Sequence, residues 1–368
     1  EMQSYYAETS LVQNDGKTVL ASLRNAKLPS LSGGRFIISE APYMMRRAES
    51  GQICRIKFAS GHVLRATGDH PVFTRSGMVN ANDLKAGDEA GVVFFEGVEY
   101  EQPSEDVIFD GSGMSQNIKD ELIERNLLPL TANHPAVPRI ARIAGYLFGD
   151  GSIHESNGRL LVSAFGKKGD LEKIKEDMEA LGFSARIYER VRTGKIETQY
   201  GVKEFKSSSA ELHASSRAFA QLMAALGVPV GKKTSQDFEV PPWVRKSKKW
   251  VKRLFLAAFF GAEMTSPSAL SKTAFYSAVV GQNKNLENVE GGRLFMLQIV
   301  EMLSEFGIKS NEISVRREHR NKEGQTARLR LMISGEENLL LLWKRVGFEY
   351  NEKRSRLAEI ACAYIHSK

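Results

Sequence analysis

Ile143-Ala-Gly-Tyr-Leu-Phe-Gly-Asp150-Gly151 and Leu256-Ala-Ala-Phe-Phe-Gly-Ala-Glu263-Met264 are two short apolar stretches, each ending in one acid. Each carries small residues four apart, Gly145 with Gly149 and Ala258 with Ala262, and that spacing places them on one helical face. Two helices meeting along such faces bring their backbones close, which sets Asp150 and Glu263 side by side at the paired ends. Two neighbouring carboxylates make a metal-binding site. A single copy reads as an ordinary buried helix with an acidic last residue. The repetition, with matching segments after each copy, argues for a site.

The first copy leads into an alternating stretch, Arg159 to Phe165, an amphipathic helix over 170–181, a ribbon beginning Arg186-Ile-Tyr-Glu-Arg-Val-Arg192, a strand at 210–214 and a helix over 217–226. The second leads to a strand around 275–280, a helix over 292–306 and a ribbon pairing 312–317 with 327–333. This is an αββαββα order used twice, with the small-residue helices central and the ribbons facing one way. Arg186, Tyr188, Arg190 and Arg192 recur at period two and share a strand face, as do Arg328 and Arg330, with Arg316 on the neighbouring strand. Basic and aromatic side chains on a curved ribbon suit a DNA major groove. Alternating charge on any half-buried sheet is the competing explanation. The repeats also end alike, Leu226-Gly-Val-Pro-Val-Gly-Lys-Lys233 and Val346-Gly-Phe-Glu-Tyr-Asn-Glu-Lys353, each with a lysine six positions after a glycine.

Residues 1–130 read differently. Short β-type runs are broken by turns at Asn14-Asp15-Gly16 and Ser60-Gly61, which is an all-β signature. A connector rich in Pro, Gly and Ser covers residues 100 to 135. The whole chain of 368 residues has 42% hydrophobic and 26% charged residues, ordinary globular composition, and is long enough for two or three domains. A formal charge of +7 favours a polyanionic partner. Cys54 and Cys362 offer neither a disulfide framework nor a zinc spacing. The longest apolar run, 254–262, is too short to span a bilayer and no secretory leader is visible, so the expectation is an intracellular protein of cytoplasm or nucleoid, not bound to membrane.

The two acid-ended stretches resemble the signature helices of the LAGLIDADG homing endonucleases, in the two-repeat, single-chain form found inside inteins. Thr67-Gly-Asp-His-Pro-Val-Phe-Thr74 and Ala81-Asn-Asp-Leu-Lys-Ala-Gly-Asp88 resemble the block of intein and hedgehog-type (Hint) domains that pairs a Thr with a His. The resemblance implies an α+β protein: an N-terminal all-β Hint-like domain over 1–130, then an endonuclease domain over 136–368 with repeats 136–244 and 245–368. It implies a monomer with internal pseudo-two-fold symmetry that hydrolyses both strands of a long double-stranded DNA target. Asp150 and Glu263, with Gly149 and Ala262 in the metal set, would hold Mg2+. Lys233 and Lys353 would assist catalysis, with Gln199 as a further polar group at the site. Arg186, Tyr188, Arg190, Arg192, Arg316, Arg328 and Arg330 would contact DNA.

In the Hint resemblance, Thr67, Asp69 and His70 polarise the amide at the N-terminal splice junction, and Ser4 stands where the nucleophile would be. The chain ends Ala363-Tyr-Ile-His-Ser-Lys368, without the terminal Asn that splicing needs, so the expectation is an incomplete splicing domain. A cleavage-inactive DNA-binding protein of the same fold, or a protein-splicing intein with a decayed nuclease in a longer parent, are the alternatives. Met264, in place of the family's glycine, is expected to crowd the turn after Glu263.

Overall fold

The computed structural model describes residues 11–14, 18–22, 27–32, 35–47, 53–58, 63–91, 94–156, 158–198, 201–272, 274–321 and 324–366. They fall into two compact units, 1–93 and 94–368. Residues 100 to 135, read from sequence as a connector, therefore belong to the second unit, where they contribute a helix, α1 (Gln116–Glu124).

The first unit is built of small antiparallel sheets. Leu11–Asn14, Thr18–Ser22 and Tyr43–Arg47 form one of three strands, a hairpin of Lys27–Ser32 with Arg35–Glu40 intervenes, and two more hairpins follow, the last pairing Pro71–Thr74 with Gly77–Asn80. Few of its described side chains are buried, among them Ala66, Val72, Thr74 and Ala81. The expected all-β Hint domain is corrected accordingly. The described strands stay in separate two- and three-stranded sheets, and in Ile53–Lys57, Val63–Thr67 and Pro71–Thr74 exposed residues alternate with half-buried or buried ones.

After α1 the second unit continues with α2 (Val137–Phe148), which has a proline in its first turn and is buried on nearly every side. It is followed by β1 (Gly151–Ser156), β2 (Arg159–Gly166), α3 (Lys168–Ala180), β3 (Arg186–Thr198), β4 (Gly201–Ala214) and α4 (Arg217–Ala225). The four strands form an antiparallel sheet in the order β1-β2-β4-β3. The next copy begins with α5 (Lys249–Glu263), of which residues 250–262 are all buried. A helix buried on every face belongs at the centre of a protein, and its two buried charges are paired there, Lys252 with Glu305 and Arg253 with Glu349. β5 (Ala278–Asn285), α6 (Val289–Glu305), β6 (Ser314–Asn321), β7 (Gly324–Ile333), α7 (Glu336–Leu341) and α8 (Glu352–His366) complete the unit, with sheet order β5-β7-β6.

The first copy thus has the full αββαββα order, whereas the second has one strand fewer among its described residues. The chain after α5 touches the sheet at Thr265, whose N–H donates to Val279 O at 2.9 Å, and then runs into Pro267. Proline has no N–H for a ladder, and the stretch turns back on itself through a single bridge between Ala269 and Phe275.

α2 and α5 cross with their backbones nearly touching. A Cβ on Gly145 would land on the carbonyl oxygen of Phe255, and one on Gly149 would lie 2.5 Å from the Ala262 Cβ. Aromatic rings back the seam, Phe148 packing against Phe238, Phe255 and Phe295. A buried polar tie joins the copies across it. Arg142 of α2 forms a two-pronged ion pair with Asp177 of α3 at 2.9 and 2.7 Å, and Asp177 also accepts from the Tyr350 hydroxyl, which follows the second sheet.

Gly145→Ala is expected to destabilise the second unit by about 3 kcal/mol or more, because overpacking meets backbone here and no side chain can yield. Urea unfolding of the variant measures it; Gly169→Ala, where an added Cβ meets nothing, is the control and should unfold near the wild-type midpoint.

Candidate metal site at the paired helix ends

α2 and α5 deliver their acids to one place. A Cβ on Gly149 would sit 3.0 Å from the Glu263 Cγ, so the Glu263 side chain lies over the residue that immediately precedes Asp150. The two exits differ. Asp150 lies beyond the end of α2, and the chain enters β1 through Gly151, where any Cβ would meet Leu147 Cα at 2.8 Å. Glu263 is still helical, and Met264 leaves in an ordinary extended conformation (φ −77°, ψ 146°) with its side chain fully buried. The expected crowding at Met264 is absent, because this exit needs no glycine.

Each helix end is capped by a cation from a distant segment. The Lys233 ammonium donates to the carbonyls of Leu147 (3.1 Å), Phe148 (3.0 Å) and Gly149. The Arg354 guanidinium donates to the carbonyls of Gly261 and Ala262, the latter at 3.3 Å. These carbonyls have no partner within their own helices, and positive charge at a helix C-terminus is favourable. Lys353, expected from its spacing after Gly347, is exposed instead. The offset has a local cause. Asn351 caps the first turn of α8 by accepting from Arg354 N–H at 3.0 Å, and the turn carries residue 354 inward and residue 353 outward. Lys233, by contrast, sits in a single 3-10 turn, Lys233–Ser235.

The four groups shape one another electrostatically. Burial and then the Asp150 charge push Glu263 up to about 7, while Lys233 and Arg354 pull it down. Asp150 keeps an exposed side, yet the protein around it removes enough water to raise its pKa too. Burial lowers Lys233 to about 8 against the opposing pull of Glu263 and Asp150, and it lowers Arg354 likewise. A cavity of about 430 Å³ opens beside Asp150, bordered by Tyr146, Phe165, Asp170, Glu211 and Asn351.

The donor set fits a divalent cation that binds through one or two carboxylates and keeps several waters, as Mg2+ does. Burial raises both carboxylates, and the Asp150 charge raises Glu263 further, so a bound cation would favour their ionised forms. Among the described residues no group of three His, Cys, Asp or Glu side chains could hold a metal, which argues against a protein-enclosed zinc-type centre. The carbonyls of Gly149 and Ala262, residues expected in the metal set, accept from Lys233 and Arg354.

The remaining expected residues are dispersed. Arg186 and Tyr188 are exposed on β3, where Tyr188 meets His213 edge-on at 5.3 Å and His213 pairs with Glu211 at 2.7 Å, so that face carries both signs. Arg190 and Arg192 lie within β3, and their side chains are outside the described residues, as is Gln199. Arg316 stands directly across from Arg328, and Arg330 points to the same side, away from the buried Ala327, Leu329 and Leu331. In the first unit Thr67, Asp69 and His70 form one turn, with His70 N–H donating to Thr67 O at 3.1 Å; Ser4 lies outside the described residues. Among the described residues no helix is long and apolar enough to cross a membrane.

No protein-family model matches the chain. It is similar to the tRNA-splicing ligase RtcB of Pyrococcus furiosus, 34% identical over 351 residues covering 94% of this chain and 35% of the relative. It is similar to the RtcB of Methanocaldococcus jannaschii, 38% identical over 335 residues, 89% of this chain and 34% of the relative. The DNA-directed RNA polymerase subunit Rpo1N of M. jannaschii matches at 30% over 368 residues, 96% of this chain and 26% of that protein. The chain therefore spans about a third of the length of the RtcB relatives and about a quarter of the polymerase subunit. Among solved structures, the homing endonuclease I-WcaI bound to its DNA recognition sequence gives a TM-score of 0.39 at 15% identity, covering 67% of this chain and 94% of that one. The N-terminal LAGLIDADG domain of DUF199/WhiA gives 0.31 at 13%, covering 68% and 97%. Likenesses that remote carry no assignment.

The relatives overturn the functional expectation. At 34–38% identity they are named as a tRNA-splicing ligase, not as an intein, a protein-splicing domain or an endonuclease, and that name gives the relatives an RNA substrate in place of double-stranded DNA. The signature helices misled because close packing of small-residue helices is a packing solution, which fixes a seam and leaves the reaction open.

Two outcomes follow for the site. Mg2+ affinity, read by calorimetry between pH 6 and 8, is expected to weaken about tenfold per unit below 7, because Glu263 must shed its proton before it can bind. Arg354→Ala is expected to change that affinity and Lys353→Ala to leave it at the wild-type value.

Proposed function

We propose that this chain is a segment of a tRNA-splicing ligase RtcB protein, and that its acid pair works with a divalent cation on phosphodiester chemistry of RNA. The match to the RtcB relatives across 94% and 89% of the chain carries the reading. Their name supplies the substrate class; the helix ends supply what such chemistry requires. Asp150 and Glu263 are the residues that would hold the cation, which when bound polarises a phosphoryl oxygen. Lys233 and Arg354 stand beside the acids and place fixed positive charge where a phosphate would arrive. The cavity next to Asp150 gives a strand room to approach. Arg316, Arg328 and Arg330, exposed or half-exposed on one strand face, neutralise backbone phosphates, so binding weakens with salt.

A second reading is favoured by the polymerase relative. The same residues align within proteins of two different names, which fits a module carried in more than one host, with a site that serves the module's own chemistry rather than ligation.

Incubating the chain with labelled RNA and Mg2+, with a DNA duplex of the same sequence as control, tests both. The expected result is a Mg2+-dependent change in RNA length that slows about a hundredfold or more in Asp150→Asn and Glu263→Gln. Joined products favour the ligase segment, and shortened products alone favour the independent module. RNA left unchanged by the wild type under every condition would sink the proposal.

A further inference from the structure

We infer that Lys284 is a positioning residue for Lys233, clamping from the second sheet the turn that brings the Lys233 ammonium to the acid of the first copy; this rests on the reading of the acid site proposed above. Lys284 lies on β5 and is only 1% exposed, an unusual place for a lysine. Its ammonium donates to Lys233 O at 2.8 Å and Gln236 O at 2.7 Å, and it lies 3.8 Å from the centre of the Phe238 ring. Two carbonyls and a ring face engage all three of its donors.

Both carbonyls flank one turn, and that turn holds Lys233. The Lys233 side chain then runs to the last carbonyls of α2, immediately before Asp150. The path for the Lys284 stem is built as well, since a Cβ on Gly292 of α6 would come 2.9 Å from its Cγ. An apolar residue could fill the same corridor without the cost of burying a charge. It could not hold two carbonyls at once. The groups facing the ammonium are Asp237, Lys233 and the Phe238 ring, and burial foremost lowers its pKa to about 8.

The test is NMR of the full chain with 15N-labelled lysine, in which an ammonium held by several acceptors exchanges slowly enough to be seen. The Lys233 signal, assigned with Lys233→Arg, is expected in the wild type, absent in Lys284→Met and retained in Lys284→Arg. On RNA, kcat should fall about tenfold in Lys284→Met with KM held, as displacement of a charged group from its working geometry predicts. A Lys233 signal unchanged in Lys284→Met would overturn the inference, whatever that variant's melting temperature. If Lys284→Met fails to fold, Gly292→Ala takes its place by crowding the stem, and an unmoved Lys233 signal there is equally fatal. The signal needs no substrate. An inert wild type whose Lys233 signal still depends on Lys284 would therefore fail the RNA reading alone.

Discussion

The contact between Gly145 and the Phe255 carbonyl is the constraint on which the rest of the second unit depends. With no side chain between them, the two helices leave no room to slide or separate, and their ends arrive together. The acids, the capping cations and the aromatic backing of Phe148, Phe238 and Phe295 all take their positions from that seam. A larger residue at the crossing would move each acid by more than a hydrogen bond tolerates.

Charge at the seam is balanced in an uncommon way. Two carboxylates face two cations, yet the cations spend their hydrogen bonds on helix carbonyls rather than on the acids. Burial first, and then the Asp150 charge, hold the pKa of Glu263 up, and Lys233 and Arg354 offset only part of that rise. Had Lys233 and Arg354 bonded the carboxylates directly, the site would be a closed salt bridge with little pull on a further cation. The arrangement keeps the acids available while satisfying the ends of both helices.

Much of this was legible in the sequence. Small residues four apart predict the close crossing, the acids at matching positions predict a shared site, and the period-two arginines on β7 lie on the face opposite the core. What was hidden depended on offsets that composition does not encode. Lys353 and Arg354 are adjacent, and only the cap at Asn351 determines which of them turns inward. Lys284 sits in an otherwise alternating strand, where a charge would be assigned to the solvent side by default. The early region is β-rich as its turns and alternation predict, but strand propensity is local, and which strands pair depends on distant contacts that it does not encode.

The truncated hairpin at Pro267 has a consequence for the protein's behaviour in concentrated solution. With only Thr265 paired beside it, β5 is an edge strand over most of its length among the described residues, and open edges invite pairing with another molecule. An inward-pointing charge on an edge is a known deterrent, because a strand added there cannot flatten the sheet without disturbing the buried charge. Lys284 occupies that position. The residue that organises the interior thus also guards the sheet margin beside which the shortened repeat lacks a strand.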